Sequence, residues 1–153
     1  MAQQPQEPTE RQRAGWYSYA IIRVVPRVER GEFVNTGVIL FAPELRFLTA
    51  RVALDPARVR ALAPQTNVAL IERHLQTFQA IAEGKPEGGP IAALPQSDRF
   101  HWLTAPRSTA IQTSPVHPGR CSNPDAAIAD LLDAFVRSPP ISSRERQRGK
   151  TSP

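Results

Sequence analysis

The sequence predicts an α+β fold in which an antiparallel sheet of about five strands carries two to three helices on one face. Strand patterns come first in the chain and the strongest helix patterns follow, an order typical of α+β domains. The first three predicted strands are joined by connections too short for crossover helices, so they should form an antiparallel meander. Sixteen prolines among 153 residues keep every element short.

Three N-terminal strands are predicted from their side-chain patterns. Residues 16–25 are rich in aromatic and β-branched side chains and stop at Pro26. Residues 34–42 are almost wholly apolar from Gly37 onward, which is typical of a central strand. Residues 46–54 alternate between apolar and other side chains, which indicates a strand with one covered face; the apolar set is Leu48, Ala50, Val52 and Leu54.

Two helices should follow the meander. Asp55-Pro56 combines an N-cap with a proline at the first helical position, so we expect a short helix that ends before Pro64. Thr66 or Asn67 can cap a longer helix, whose apolar stripe ends at Gly84.

The second half of the chain has weaker patterns. Residues 85–98 are predicted to be a long loop. Residues 99–104 and 109–113 are predicted to be the fourth and fifth strands and to form a later hairpin, and residues 115–123 are predicted to be irregular. Pro124 opens a final helix, in which apolar side chains recur at helical spacing; they are Ile128, Leu131, Leu132, Phe135 and Val136.

Residues 16–137 are predicted to be a single domain between disordered segments at 1–15 and 138–153. These two segments hold too few large apolar side chains to offset the entropy of ordering them. The net charge of +5 comes from 19 basic and 14 acidic residues. Four basic residues against Glu145 give the C-terminal tail +3, which leaves +2 for the predicted domain. The basic excess, which can steer a protein toward nucleic acid, therefore lies mostly in the tail.

The sequence also disfavours several function classes. A single cysteine, Cys121, excludes a disulfide within this sequence and a multi-cysteine zinc site. No apolar run approaches the ~20 residues of a membrane span, and the first 15 residues lack the apolar region of a signal peptide. We therefore expect a cytoplasmic protein with no membrane association. Phosphate-loop, dinucleotide and nucleophile-elbow motifs are missing, and the histidines are scattered, so we expect no cofactor, metal site or catalytic residues.

Two segments carry the candidate binding residues. The first surrounds the loop between the first two strands and can orient an anion or a partner's side chain; its candidates are Arg23, Arg27, Arg30, Glu32 and Asn35. Its alternative interpretation is a solvated turn whose charges neutralise one another. The second segment is rich in hydroxyl groups; its candidates are Arg107, Ser108, Thr109, Gln112, Ser114 and His117. These can bind phosphate or supply a serine nucleophile with His117 as base, or they can be ordinary strand and turn residues.

Asn35 and Gly37 stand beside the apolar run of the second strand. A glycine inside a strand usually marks a bulge or the close approach of another group. A buried amide needs a hydrogen-bond partner. We therefore expect Asn35 to be at least half-buried and to bond the backbone across the loop at residues 27–33.

Several strings of residues resemble those of one protein family. The most specific are Glu29-Arg30-Gly31-Glu32-Phe33-Val34-Asn35, Trp102-Leu103-Thr104-Ala105-Pro106-Arg107-Ser108 and Gln112-Thr113-Ser114-Pro115-Val116-His117. They are similar to an uncharacterised bacterial family catalogued as domain of unknown function 3037, and the resemblance covers residues 16–136. The resemblance implies a small, soluble protein with no established activity. Because such proteins are often encoded beside a HipA-like kinase, it also implies an accessory or regulatory role toward a protein partner.

These observations favour a non-enzymatic interaction module, with a HipA-like kinase as a candidate partner. Its binding face would combine the loop at residues 27–35 with residues 106–117. The first alternative is nucleic-acid binding through Arg23, Arg27, Arg30 and the basic tail, with Tyr17 and Tyr19 stacking on bases. The second alternative is a small enzyme acting on a phosphate-bearing or acyl substrate, which requires Arg107, Ser108 and His117 to converge on one cleft.

Overall fold

The computed structural model describes residues 14–137 of the chain. They form a five-stranded antiparallel sheet with four α-helices, which confirms the α+β class. The predictions for the two terminal segments lie outside the described residues, except that Gly15 already belongs to the first strand. The strands are β1 (Gly15–Val24), β2 (Val34–Ala42), β3 (Phe47–Val52), β4 (Ile111–Thr113) and β5 (His117–Cys121). The helices are α1 (Pro56–Leu62), α2 (Val68–Glu83), α3 (Gln96–Thr104) and α4 (Pro124–Phe135).

The predicted meander is confirmed. β1 pairs antiparallel with β2, and β2 pairs antiparallel with β3. The other edge of β1 pairs with both β4 and β5. β1 is therefore bonded along both of its edges and lies inside the sheet.

The predicted later hairpin is wrong. β4 and β5 do not pair with each other but run along successive halves of β1, with Ile22 opposite Thr113 and Tyr19 opposite His117. From Ile22 to Tyr19, β1 moves by three residues, whereas the opposite side moves by four, from Thr113 to His117. β4 and β5 are therefore one edge strand interrupted by a bulge. Residues 117–121, predicted to be irregular, are a strand because an edge position tolerates Pro118.

Residues 99–104, predicted to be a strand, belong to helix α3. The alternation of Phe100 and Trp102 suggested a strand, but Phe100 and Leu103 are the buried pair, at helical spacing. The helix begins directly after Pro95 and carries Asp98 in its first turn, both of which are signals of a helix start.

The helices cover both faces of the sheet. Ala20, Ile22 and Val24 of β1 point to the face that α1–α3 cover, which we call the α2 face. The opposite face packs against Ile128 and Leu132 of α4 and against Val136 directly after it, and we call it the α4 face. The prediction that the helices lie on one face holds for α1–α3 and is wrong for α4. Because Val38, Leu40 and Ile39 of β2 are all fully buried, both faces need a cover.

The helix ends follow their predicted caps. The Asp55 carboxylate accepts from the N–H groups of Ala57 and Arg58, and the Asn67 side chain accepts from the N–H of Leu70. Gly84 ends α2 in the left-handed conformation. Within residues 14–137, none of the helices has the length and apolar composition that crossing a bilayer requires.

A bulge beside Gly37 fixes the register of β2. Ile22 lies opposite Gly37, whereas Arg23 lies opposite Asn35, so Thr36 is the extra residue. Thr36 is fully buried, and its hydroxyl donates to the Ile22 carbonyl over 3.2 Å. A Cβ on Gly37 would lie 2.6 Å from the Arg51 carbonyl oxygen of β3. The expectation that this glycine marks a bulge and a close approach is thus confirmed.

Gly37→Ala should therefore lower the free energy of unfolding by about 1–3 kcal/mol, because the new methyl group meets backbone that cannot swing aside. Gly15→Ala is the matched control, since a Cβ on this strand glycine meets nothing closer than 3.5 Å. Urea unfolding of both variants measures the difference. Equal midpoints for the two variants would contradict the close approach at Gly37.

Candidate interaction surface

Arg23 lies on the α4 face with polar neighbours on both adjacent strands. In the sheet it stands between Asn35 of β2 and Gln112 of β4. Its guanidinium carbon lies 4.1 Å from the ring centroid of Phe33, in cation–π geometry. Among residues 14–137, no carboxylate forms an ion pair with Arg23.

Asn35 connects the neighbourhood of Arg23 to the end of α4. Its Nδ2 donates to the backbone carbonyl of Phe135 over 3.1 Å. Asn35 is half-buried, as expected, but the prediction that it bonds across the loop at residues 27–33 is wrong. The bulge at Thr36 turns Asn35 toward the α4 face, where the last carbonyls of a helix need donors.

Aromatic side chains continue from this point. The Phe135 ring stacks against Tyr19 with centroids 6.3 Å apart, and the Tyr19 ring lies 5.5 Å from that of His117. Phe33 and Phe135 keep 45% and 48% of their surface exposed. We call the connected set the aromatic surface; it consists of Tyr19, Arg23, Phe33, Asn35, Gln112, His117 and Phe135.

Two polar atoms at the aromatic surface lack hydrogen bonds. Arg23 Nε and Asn35 Oδ1 are both buried, and neither has a partner among the described residues. A buried polar group without a partner costs about 1–3 kcal/mol. Such groups are rare in native proteins, and these two lie at neighbouring positions of β1 and β2.

The other candidates of the first segment form a charged turn. Arg27 pairs with Glu29 over 3.3 Å and Arg30 pairs with Glu32 over 2.7 Å, all with exposed side chains. The hydrogen bond and charge of Glu32 raise the pKa of Arg30. This geometry matches the alternative of a solvated turn whose charges neutralise one another, and exposed pairs of this kind contribute little to stability.

Residues of the second segment separate onto the two faces of the sheet. Gln112 and His117 contribute to the aromatic surface, although the Gln112 amide donates back to the Thr109 carbonyl over 2.9 Å. Arg107 lies on the α2 face, where its guanidinium carbon is 4.1 Å from the Trp102 ring centroid. Ser108 is exposed in the turn before β4. The structure therefore does not bring Arg107 and Ser108 together with His117.

Ser114 has a structural position at the bulge of the edge strand. It is buried, its N–H donates to the Ile21 carbonyl over 2.8 Å, and its Oγ accepts the Ile21 N–H over 2.8 Å. The same hydroxyl donates to the Pro115 carbonyl over 2.9 Å. The Ser114 hydroxyl thus completes the hydrogen-bond ladder of β1. Because it is engaged in these bonds, it is not free to act as a nucleophile.

Tyr17, Gly119 and Cys121 form the far end of the α4 face. The Tyr17 ring covers Gly119, which has no side chain to collide with it. Burial, with smaller contributions from Cys121, Tyr19 and Asp130, raises the pKa of Tyr17. Burial also raises the pKa of the Cys121 thiol, which therefore lacks the activation of a reactive cysteine. Across residues 14–137, no group of three or more His, Cys, Asp and Glu side chains is arranged to hold a metal ion.

The sequence did not single out Phe33 and Phe135 as surface residues. Phe33 follows a polar loop, and Phe135 belongs to the apolar stripe of α4, which suggested a core position. No short-range pattern in the sequence marks either ring as exposed.

The sequence matches one protein family over most of the described residues. The model of the family described as protein of unknown function (DUF3037) matches residues 19–136. The chain belongs to this family. No curated protein and no solved structure matches the chain. The match spans the DUF3037 domain from β1 to the end of α4 and includes every residue of the aromatic surface.

In this DUF3037 domain, Asn35→Ala should lower the free energy of unfolding by about 0.5–1.5 kcal/mol, because the hydrogen bond from Asn35 to the Phe135 carbonyl is lost. Gln112→Ala is the control, since its amide bonds only the adjacent turn and its loss should cost less. Denaturant melts compare the two variants. An unchanged midpoint for Asn35→Ala would show that this bond does not hold α4 in place.

Ser114→Ala should also cost about 1–3 kcal/mol, because the Ile21 N–H remains buried without its acceptor. Ser108→Ala, at an exposed position, should leave stability within about 0.5 kcal/mol of the wild type. Hydrogen exchange of the Ile21 amide provides a second measurement, and it should accelerate in Ser114→Ala. Wild-type protection of that amide would refute the structural role of Ser114.

Proposed function

We propose that this DUF3037 domain is a non-enzymatic interaction module that binds a partner protein through the aromatic surface. The observation that carries the proposal is the pair of half-exposed phenylalanines, Phe33 and Phe135, joined through Arg23 and Asn35. Aromatic residues and arginine are the types enriched at the centres of protein interfaces. Fully burying an exposed ring contributes about 1.5–3 kcal/mol, so a partner that covers the exposed halves of both rings gains roughly that amount in total.

The charge of Arg23 indicates what such a partner should offer. Arg23 carries a positive charge with no carboxylate paired to it within residues 14–137. A partner surface with apolar side chains and one carboxylate for Arg23 would match the two rings and this charge. The family resemblance makes a HipA-like kinase the first partner to test.

Nucleic-acid binding has weaker support. Arg27 and Arg30 are paired with glutamates, and Arg51 and Arg137 with aspartates over 2.8 and 3.0 Å. Tyr17 and Tyr19, the expected stacking residues, pack against Gly119, His117 and Phe135. Their ring faces are thus partly used within the protein, and two of the three loop arginines of this alternative, Arg27 and Arg30, are paired with glutamates.

An enzymatic role has weaker support still. The serine and histidine candidates do not form a nucleophile–base pair, because the Ser114 hydroxyl is engaged with Ile21 and Pro115. Arg107 and His117 belong to opposite faces of the sheet. Catalysis by these residues would require one shared cleft.

The test is affinity capture with the purified full chain and a matched set of variants. Phe33→Ser with Phe135→Ser removes both rings, and Arg23→Gln removes the charge. Trp16→Ser is the control, because Trp16 is 60% exposed and lies outside the aromatic surface. Captured proteins from the native host and a purified HipA-like kinase are both assayed, after circular dichroism has verified folding.

We expect stoichiometric capture by the wild type and by Trp16→Ser. The double phenylalanine variant should weaken binding at least about tenfold, equivalent to about 1.4 kcal/mol. Equal capture by the double variant would refute the aromatic surface as the interface. Capture of nucleic acid that falls steeply with salt would favour the nucleic-acid alternative instead.

A further inference from the structure

A second candidate site lies on the α2 face, on the other side of the sheet from the aromatic surface. It is a cleft of about 300 Å³ between α2, α3 and β4. Phe78 and Ile81 of α2, Trp102 of α3 and Ile111 of β4 form its apolar walls. A cleft of this size and composition falls at the lower end of the range for small-molecule sites.

Arg107 stands at this cleft as a half-buried cation. Its Nη2 donates to the backbone carbonyl of Trp102, and its guanidinium carbon lies over the indole ring. Among the described residues, no carboxylate pairs with Arg107, and burial lowers its pKa. The guanidinium stays charged all the same, because arginine is not deprotonated in proteins. An apolar cleft with an uncompensated cation at its wall is complementary to an apolar anion.

The hydroxyl groups of the cleft already donate hydrogen bonds within the protein, which limits the charge of the anion that the cleft can hold. Thr77 already donates to the Arg73 carbonyl over 3.2 Å, and Thr109 donates to the Ile111 carbonyl over 3.0 Å. Arg107 and the His74 ring, which lines the cleft from α2, are therefore the donors that remain for a ligand. A single guanidinium matches one carboxylate in bidentate geometry, whereas a phosphate dianion is usually held by more donors and charges.

We propose that this cleft binds a small hydrophobic monocarboxylate, with its carboxylate on Arg107 and its apolar body between α2, Trp102 and Ile111. Octanoate is the probe because it combines one carboxylate with a flexible apolar chain. Octanamide is the matched neutral probe, since it keeps the chain and removes the charge. Inorganic phosphate tests the competing possibility of a phosphate site.

The two tryptophans of the chain give separate reporters. The indole N–H resonance of Trp102 in the ¹⁵N-labelled full chain reports on the cleft, and that of Trp16 reports on a site outside it. Octanoate should shift the Trp102 resonance saturably and leave Trp16 in place. Octanamide should bind about tenfold more weakly or worse, because it lacks the charge-assisted bonds.

Substitutions test the charge of Arg107 and the open space of the cleft separately. Arg107→Gln should weaken octanoate about tenfold, whereas Arg120→Gln, whose guanidinium carbon lies 5.7 Å from the Trp16 ring centroid, should leave it unchanged. Thr77→Phe fills the cleft from an exposed position of α2 and should abolish binding with Arg107 intact. Wild-type-like ¹⁵N spectra of the free variants establish that they are folded.

Three results would overturn the proposal: no saturable shift of Trp102 with octanoate, equal affinity for octanoate and octanamide, or phosphate binding that matches octanoate. Capture of a partner through the aromatic surface does not use Arg107. The two proposals can therefore fail separately.

Discussion

The hydrogen bonding of β1 at Ile21 and Ile22 is the constraint on which the rest of the structure depends. A bulge interrupts the neighbouring strand on each side of this point, at Thr36 in β2 and between β4 and β5. Bulges leave ladder groups unpaired in the buried centre of a sheet, where the cost is highest. The Thr36 hydroxyl bonds the Ile22 carbonyl and the Ser114 hydroxyl accepts the Ile21 N–H. These two are the buried polar residues among those described, and both complete β1.

The bulge at Thr36 also decides which side chains reach each face. Without the extra residue, Val24 would lie opposite Asn35, and an amide would enter the apolar core of the α2 face. With it, Val34 stays in that core while Asn35 turns toward the α4 face and bonds the Phe135 carbonyl. The aromatic surface exists because this one-residue shift places Asn35 beside Arg23, at the point where α4 ends.

Local patterns in the sequence predicted the elements whose partners are near in the chain. The meander, the Asp55 and Asn67 caps and the apolar stripes of α2 and α4 depend on turns and on short-range spacing. The helix at residues 96–104 was missed because Phe100 and Trp102 alternate like strand residues, and β5 was missed because of Pro118. The site was predictable in part: Arg23, Asn35, Gln112 and His117 were candidates, but their grouping with Phe33 and Phe135 depends on non-local register and two bulges. No short-range pattern carries that information.

The short strand β4 contributes residues to both the aromatic surface and the cleft. Ile111 lines the cleft and its neighbour Gln112 stands beside Arg23, so β4 contributes to both faces in successive residues. Adjacency does not by itself couple two sites, because coupling needs an element with two alternative arrangements that each ligand biases. β4 is held against β1 by regular pairing and by the bond from the Val25 N–H to the Ala110 carbonyl, 2.7 Å long. Because these bonds give β4 a single arrangement in the structure, we expect the two proposed sites, on opposite faces of one sheet, to bind independently.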